Sequence, residues 1–245
     1  MAEEKETEVA VGEGPESVTS RDLAHGTNLR VMQLRCSGFL FDLDGVLVDS
    51  HAVVERISRR WALRHQLDPE MVLRVAHGRR SSDTVKAAAP HLDATREAAW
   101  IDAAELDDVE GLKPVPGAGE LLASLPANRW TVVTSCGRAL AERRLTAAGL
   151  PVPKLIVTAE DVSKGKPAPD GYRLGAERLG YDAATCVAFE DAPAGIAAAR
   201  GAGARVIGLT TQLKGYELTD ADATMPDFTA FRVRQEPDAL IITIG

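Results

Sequence analysis

The alternation of apolar and polar positions divides the chain into unlike stretches. Residues 1–34 are polar, acidic and without a periodic apolar face, and are expected to form a disordered extension. "GFLFDLDG" then reads as a short strand closed by Asp and Gly. In "SHAVVERISRRWALRHQL" the apolar residues recur at helical spacing, with Ser50 placed to cap the helix. "DPEMVLRVAHG", "SSDTVKAAAPHL" and "DATREAAWIDAAELDDVEG" continue in the same way, so the stretch from Ala52 to about Glu110 predicts helices and no strand.

"GLKPVPGAGE" breaks the helical run with prolines and glycines and reads as a linker. Beyond it helices ("GELLASLP", "RALAERRLTAAG", "APDGYRLGAERLG", "APAGIAAARGAG") alternate with strands ("WTVVTS", "KLIVTAEDV", "TCVAFED", "RVIGLTT"). "FRVRQEPDALIITIG" predicts a hairpin at an edge. Alternation of this kind indicates a parallel sheet covered on both faces. The first strand belongs with the later ones, because a lone strand cannot bury both faces among helices. The expected fold class is therefore α/β: a Rossmann-like parallel sheet with helices on both faces, plus an inserted all-helical cap. Residues 35–51 and 112–245 make up the core and residues 52–111 the cap.

Composition narrows the picture. The 245 residues carry a net charge of −8, which argues against a nucleic-acid surface. No apolar run approaches the ~20 residues of a membrane span, and the start of the chain lacks the pattern of a signal peptide, so a cytoplasmic protein is expected. Cys36, Cys136 and Cys186 are odd in number and far apart, which favours reduced thiols over a disulfide framework.

The chemistry concentrates where the core strands end. After "GFLF" come Asp42 and Asp44; after "WTVV", Thr134 and Ser135; after "KLIVTAEDV", Lys164 and Lys166; after "TCVAF", Glu190 and Asp191. Strands aligned in one parallel sheet place all four sets at one edge. Carboxylates that close together need a compensating cation, and an oxygen-only donor set suits Mg²⁺. A lysine and hydroxyl donors around a carboxylate suit a phosphoryl group. Each pair alone is ordinary capping or loop chemistry; the combination is not. "AHGRRSSDTV" lies between two cap helices, where His77, Arg79 and Arg80 either contact a substrate or form a solvated basic helix end.

"FDLDGVLVDS", "VVTS", "KGKPAPDGY" and "FEDAPAGIAAARGAG" resemble the four motifs of the haloacid dehalogenase superfamily, in its phosphatase branch with a helical cap. The resemblance implies a Mg²⁺-dependent phosphomonoester hydrolase working through an aspartyl-phosphate intermediate. It implies Asp42 as nucleophile, Asp44 as acid and then base, Thr134 and Ser135 at the phosphate, and Lys166 neutralising charge. Mg²⁺ would be bound by Asp42, the main-chain carbonyl of Asp44 and Asp191, with Glu190 close by. The chain is further similar to the sugar- and polyol-phosphate phosphatases, the glycerol-3-phosphate and 2-deoxyglucose-6-phosphate group, so a small phosphorylated metabolite is the expected partner.

Phosphoglycolate phosphatase is the alternative hydrolase. Phosphomutases of the β-phosphoglucomutase type keep both aspartates but carry a His where this chain has Val54, with His51 nearby. Dehalogenases resemble Asp-x-Tyr at the position of Asp42 and Asp44, and phosphonatases need a cap lysine, for which only Lys86 and Lys113 are available. A catalytically silent binding module on the same fold is the non-enzyme reading. An in-chain lobe needs no second copy to seal a site, so a monomer is expected.

Overall fold

The computed structural model describes residues 32–244, so residues 1–31 of the extension expected over 1–34 lie outside the described residues. Six strands form a wholly parallel sheet in the order β6-β5-β2-β7-β8-β9. They are β2 (Gly38–Phe41), β5 (Trp130–Val133), β6 (Ile156–Val157), β7 (Cys186–Glu190), β8 (Arg205–Leu209) and β9 (Ala223–Met225). Strand side chains alternate between faces, and here both faces are apolar. Phe39, Phe41, Val132, Phe189 and Ile207 pack on one side with α5 (Ala118–Ser124) and α6 (Arg138–Ala147). Leu40, Val133, Ala188 and Val206 pack on the other with α7 (Asp170–Leu179) and α8 (Pro193–Ala202). The phenylalanines gather on the first of these sides, where Phe41 and Phe189 stack at 4.8 Å between centroids and Phe39, Phe228 and Phe231 meet them edge to face.

Three local expectations change. Residues 32–34 belong to a strand, β1 (Met32–Cys36), because Leu34 and Cys36 alternate into the core while Gln33 is exposed. The terminal hairpin forms from β10 (Arg232–Gln235) and β11 (Leu240–Ile244), but β11 pairs with β1 in a separate antiparallel sheet. That sheet lies against the Phe39 side of the core through Leu34, Leu240 and Ile242. "KLIVTAEDV" is extended only at Ile156–Val157, since Asp161 folds back to accept from Thr158 N at 2.9 Å. β9 was not foreseen.

The helical insert consists of α1 (His51–Arg64), α2 (Pro69–Ala76), α3 (Ser81–Ala88) and α4 (Ala94–Asp107). Asp68 and Asp93 cap α2 and α4 through Glu70 N at 3.0 Å and Thr95 N at 3.0 Å. Val53, Ile57, Trp61, Val72, Val85 and Ile101 give these helices a core of their own. The chain enters through β3 (Val48–Asp49) and returns through β4 (Lys113–Pro114), which pair antiparallel. The expected linker "GLKPVPGAGE" thus contributes a strand, and Asp49 is bound there to Lys113 Nζ at 3.2 Å. Among the described residues no helix is long and apolar enough to cross a membrane.

Candidate active site

The carboxyl ends of β2, β5 and β7 meet beneath the helical insert. A cavity of about 600 Å³ opens between them, lined by Asp42, Asp44, Thr134, Ser135 and Asp191 from the core. His77, Gly78 and Arg79 line it from the loop after α2. This is where ligands sit in open parallel sheets, outside the strand ends near the reversal of strand order.

Asp42 is 4% exposed at the end of β2. Lys166 Nζ bridges it at 2.7 Å to Glu190 at 2.6 Å, and Glu190 also accepts from the hydroxyl of buried Tyr172. Burial raises the pKa of Asp42, and the neighbouring Glu190 raises it further against the pull of Lys166. Burial likewise raises Glu190 and Asp191. Lys166 loses charge stabilisation through burial, but Asp42 and Glu190 more than restore it and hold it cationic.

Asp42, Glu190 and Asp191 each place one oxygen within 4.8 Å of the others, and all three are buried. Glu190 Oε2 has no partner within the protein. A buried, oxygen-only set with an orphaned carboxylate oxygen fits a hard divalent cation. Two glycines leave room for it. A Cβ on Gly195 would lie 2.0 Å from the Glu190 carboxylate, and Gly45 turns the chain after Asp44 with φ +74°. That turn lets Asp42 and Asp44 face one cavity, where an extended strand would point them to opposite sides.

The other expected residues divide. Thr134 lines the cavity, and its Oγ accepts from Cys136 N at 3.2 Å. Ser135 Oγ donates to Gly78 O at 3.0 Å and so ties the core to the insert. His77 reaches Asp191, Nε2 to Oδ2, at 3.1 Å. Burial disfavours the imidazolium of His77, but the bond to Asp191 together with the charges of Asp191, Glu190 and Asp42 outweighs it and raises the His77 pKa. Arg79 faces the cavity. Arg80 does not: it donates to Val162 O at 2.8 Å and lies over Gly165, beside the loop that carries Lys166. Lys164 is exposed.

Reading the sequence missed what holds Asp44. Ser50, expected as a helix cap, instead donates from Oγ to Asp44 Oδ1 at 2.6 Å. Arg144 in α6 donates to Asp44 Oδ2 at 2.5 Å and to Glu105 of α4 at 2.7 Å.

The chain belongs to the haloacid dehalogenase-like hydrolases, whose family model matches residues 36–203. It is 39% identical to hexitol phosphatase A of Escherichia coli over 214 residues, covering 85% of this chain and 99% of that protein. It is 36% identical to glycerol-1-phosphate phosphohydrolase 2 of Saccharomyces cerevisiae over 199 residues, covering 76% of this chain and 79% of the yeast protein. Among solved structures, a hydrolase from Pseudomonas syringae superposes with a TM-score of 0.71 at 28% identity, over 78% of this chain and 94% of that one.

Proposed function

We propose that the protein is a Mg²⁺-dependent phosphatase for a small sugar or polyol phosphate, acting through an aspartyl-phosphate on Asp42. The observation that carries this reading is the constellation at the cavity floor. Asp42 is paired with Lys166 and clustered with Glu190 and Asp191, and Asp44 lines the same cavity.

In the first step a carboxylate oxygen of Asp42 attacks phosphorus while the ester oxygen departs with a proton from Asp44. In the second, Asp44, now a carboxylate, takes a proton from water. The resulting hydroxide equivalent attacks phosphorus and Asp42 leaves as carboxylate. Splitting one displacement into two lowers each barrier, and Asp44 serves as acid and then base. Lys166 offsets the negative charge that accumulates between Asp42 and the phosphoryl oxygens. Thr134 and Ser135 offer hydroxyls to those oxygens, and His77 and Arg79 face the substrate from the insert. Asp42, Asp191 and the carbonyl of Asp44, with Glu190 adjacent, would hold Mg²⁺, which would supply charge neutralisation and alignment for the transfer.

The relatives named for hexitol and glycerol phosphates support a polyol phosphate as the substrate class, and the cavity has room for a chain of that length. Val54, at the position where the mutases carry His, lines the cavity and cannot move a proton, while His51, three residues earlier, lines the same cavity. Four helices from within the chain cover the site, which supports a monomeric enzyme. The test is phosphate release from a panel of hexitol, glycerol, hexose, glycolate and nucleotide phosphates, with and without Mg²⁺, for the wild type and Asp42→Asn. Mg²⁺-dependent release from polyol phosphates is expected, lost in the variant with its circular dichroism unchanged. A preference for glycolate phosphate would overturn the substrate class, and an active Asp42→Asn would overturn the nucleophile.

A further inference from the structure

Arg144 stands in the last turn of α6 and is 2% exposed. Its Nη1 donates to Asp44 Oδ2 at 2.5 Å and its Nη2 to Glu105 Oε2 at 2.7 Å, while its Nε has no partner. Ser50 Oγ occupies the other oxygen of Asp44 at 2.6 Å. One buried guanidinium therefore spans the α/β core and the helical insert, and both oxygens of Asp44 are taken up by donors. Arg144, Glu105 and Ser50 all line the same cavity as Asp42.

An acid must present a protonated oxygen to the leaving group. In the arrangement seen, Ser50 and Arg144 each hold one oxygen of Asp44, so donors on both sides fix the direction of its carboxyl. Arginine does not give up its charge, and its planar fork fixes the direction of one Nη when the other is held. The place of Glu105 on α4 thus dictates the place of Nη1 against Asp44.

We propose that Arg144 is a positioning residue for Asp44, steered by Glu105, which makes delivery of the acid depend on where the helical insert sits. When α4 shifts over a bound substrate, Glu105 draws the guanidinium with it and releases Oδ2 toward the leaving oxygen. With the site empty, the fork keeps Asp44 parked against α6. The inference rests on the reading of Asp44 as the acid.

The experiment compares kcat/KM for sorbitol 6-phosphate, whose alkoxide needs a proton to leave, with 4-nitrophenyl phosphate, whose phenolate does not. Wild type, Asp44→Asn, Arg144→Lys and Glu105→Gln are measured, each with the inhibition constant of inorganic phosphate. Asp44→Asn is expected to lose about a hundredfold or more on the alkyl ester and far less on the aryl ester, as removal of a general acid does. Arg144→Lys should follow the same pattern with at least about a tenfold loss on the alkyl ester, and Glu105→Gln with a smaller one. Phosphate inhibition should stay unchanged in both.

Equal losses on the two esters, no loss on either, or a change confined to KM in the Arg144 and Glu105 variants would overturn the proposal. Such results would leave these residues a structural role alone. Circular dichroism checks that each variant is folded, because aryl-ester turnover still needs Asp44 as the base of the second step. If Asp44→Asn itself falls equally on both esters, the acid reading of Asp44 fails first and the inference with it.

Discussion

Gly45 and Asp191 approach each other as only a glycine permits. Gly45 has φ +74°, and a Cβ there would lie 1.9 Å from Asp191 Oδ2. The turn that brings Asp44 into the cavity is therefore also the wall that holds the Asp191 carboxylate in place. Gly45→Ala is expected to cost about 1–3 kcal/mol of stability, from backbone strain together with the displaced carboxylate. Mg²⁺-dependent turnover should fall at least about tenfold, because a displacement near 1 Å can cost a hundredfold. Urea unfolding and a Mg²⁺ titration of phosphate release check this. Normal values in both would mean that the carboxylate relocates freely.

The Asp42–Glu190–Asp191 cluster predicts a thermal signature independent of turnover. A ligand that binds only the folded state stabilises it by about 2.7 kcal/mol at a hundredfold excess over its Kd. Mg²⁺ should raise the melting temperature of the wild type and leave that of Asp191→Asn nearly unmoved. Scanning fluorimetry in EDTA and in Mg²⁺ reads the difference; equal shifts in both proteins would remove Asp191 from the metal site.

Lys166 lies between Asp42 and Glu190, with its own side chain only 6% exposed. Truncating one partner of a buried ion pair leaves uncompensated charge and costs about 3–5 kcal/mol. Lys166→Met should show a loss of that size in EDTA and a smaller one in Mg²⁺, which takes over part of the compensation. A loss that is the same in both media would separate the lysine from the metal cluster.

Asp161 anchors the loop that leads from β6 toward Lys166. It accepts from Arg178 at 2.6 Å and from Thr158 N at 2.9 Å. Chiefly through Arg178, and against some burial, its pKa is lowered to about 2. A depressed carboxylate contributes fully above its unfolded value near ~3.9 and loses that contribution as pH falls toward the folded one. The stability gap between wild type and Asp161→Asn should therefore be constant at neutral pH and shrink from about pH 4 down to about pH 2. Chemical denaturation across that range measures it, and a gap that widens on acidification would contradict the ion pair.

The sheet was legible because it is buried on both faces: runs such as Phe39–Phe41 and Val187–Phe189 are apolar throughout, and polarity returns only at their ends. Asp42, Glu190 and Asp191 announce themselves by standing where those runs stop. The partners of Asp44 leave no such mark. Arg144 stands beside Arg143 in a helix, and nothing in the spacing says which of the two turns inward. Glu105 reads as one more acid of an acidic helix, although burial and then Asp44 raise its pKa to about 7 against the pull of Arg144. Arg80 and Arg79 differ by one position, which on a helix-entry loop is enough to send one to core carbonyls and the other to the cavity. β1 was hidden because Gln33 and Arg35 break up the apolar run in "MQLRC", although Leu34 and Cys36 turn inward.

The pairing of β3 with β4 consists of Val48 with Pro114 and Asp49 with Lys113. The chain departs and returns at this single seam, so what lies between the two contacts can change in length without moving the register of the six-stranded sheet. Asp42 and Lys166 lie outside the seam, whereas Ser50 and Glu105 lie inside it. A new insert spliced here would redirect the reaction to another metabolite only if it also renewed the hold on Asp44.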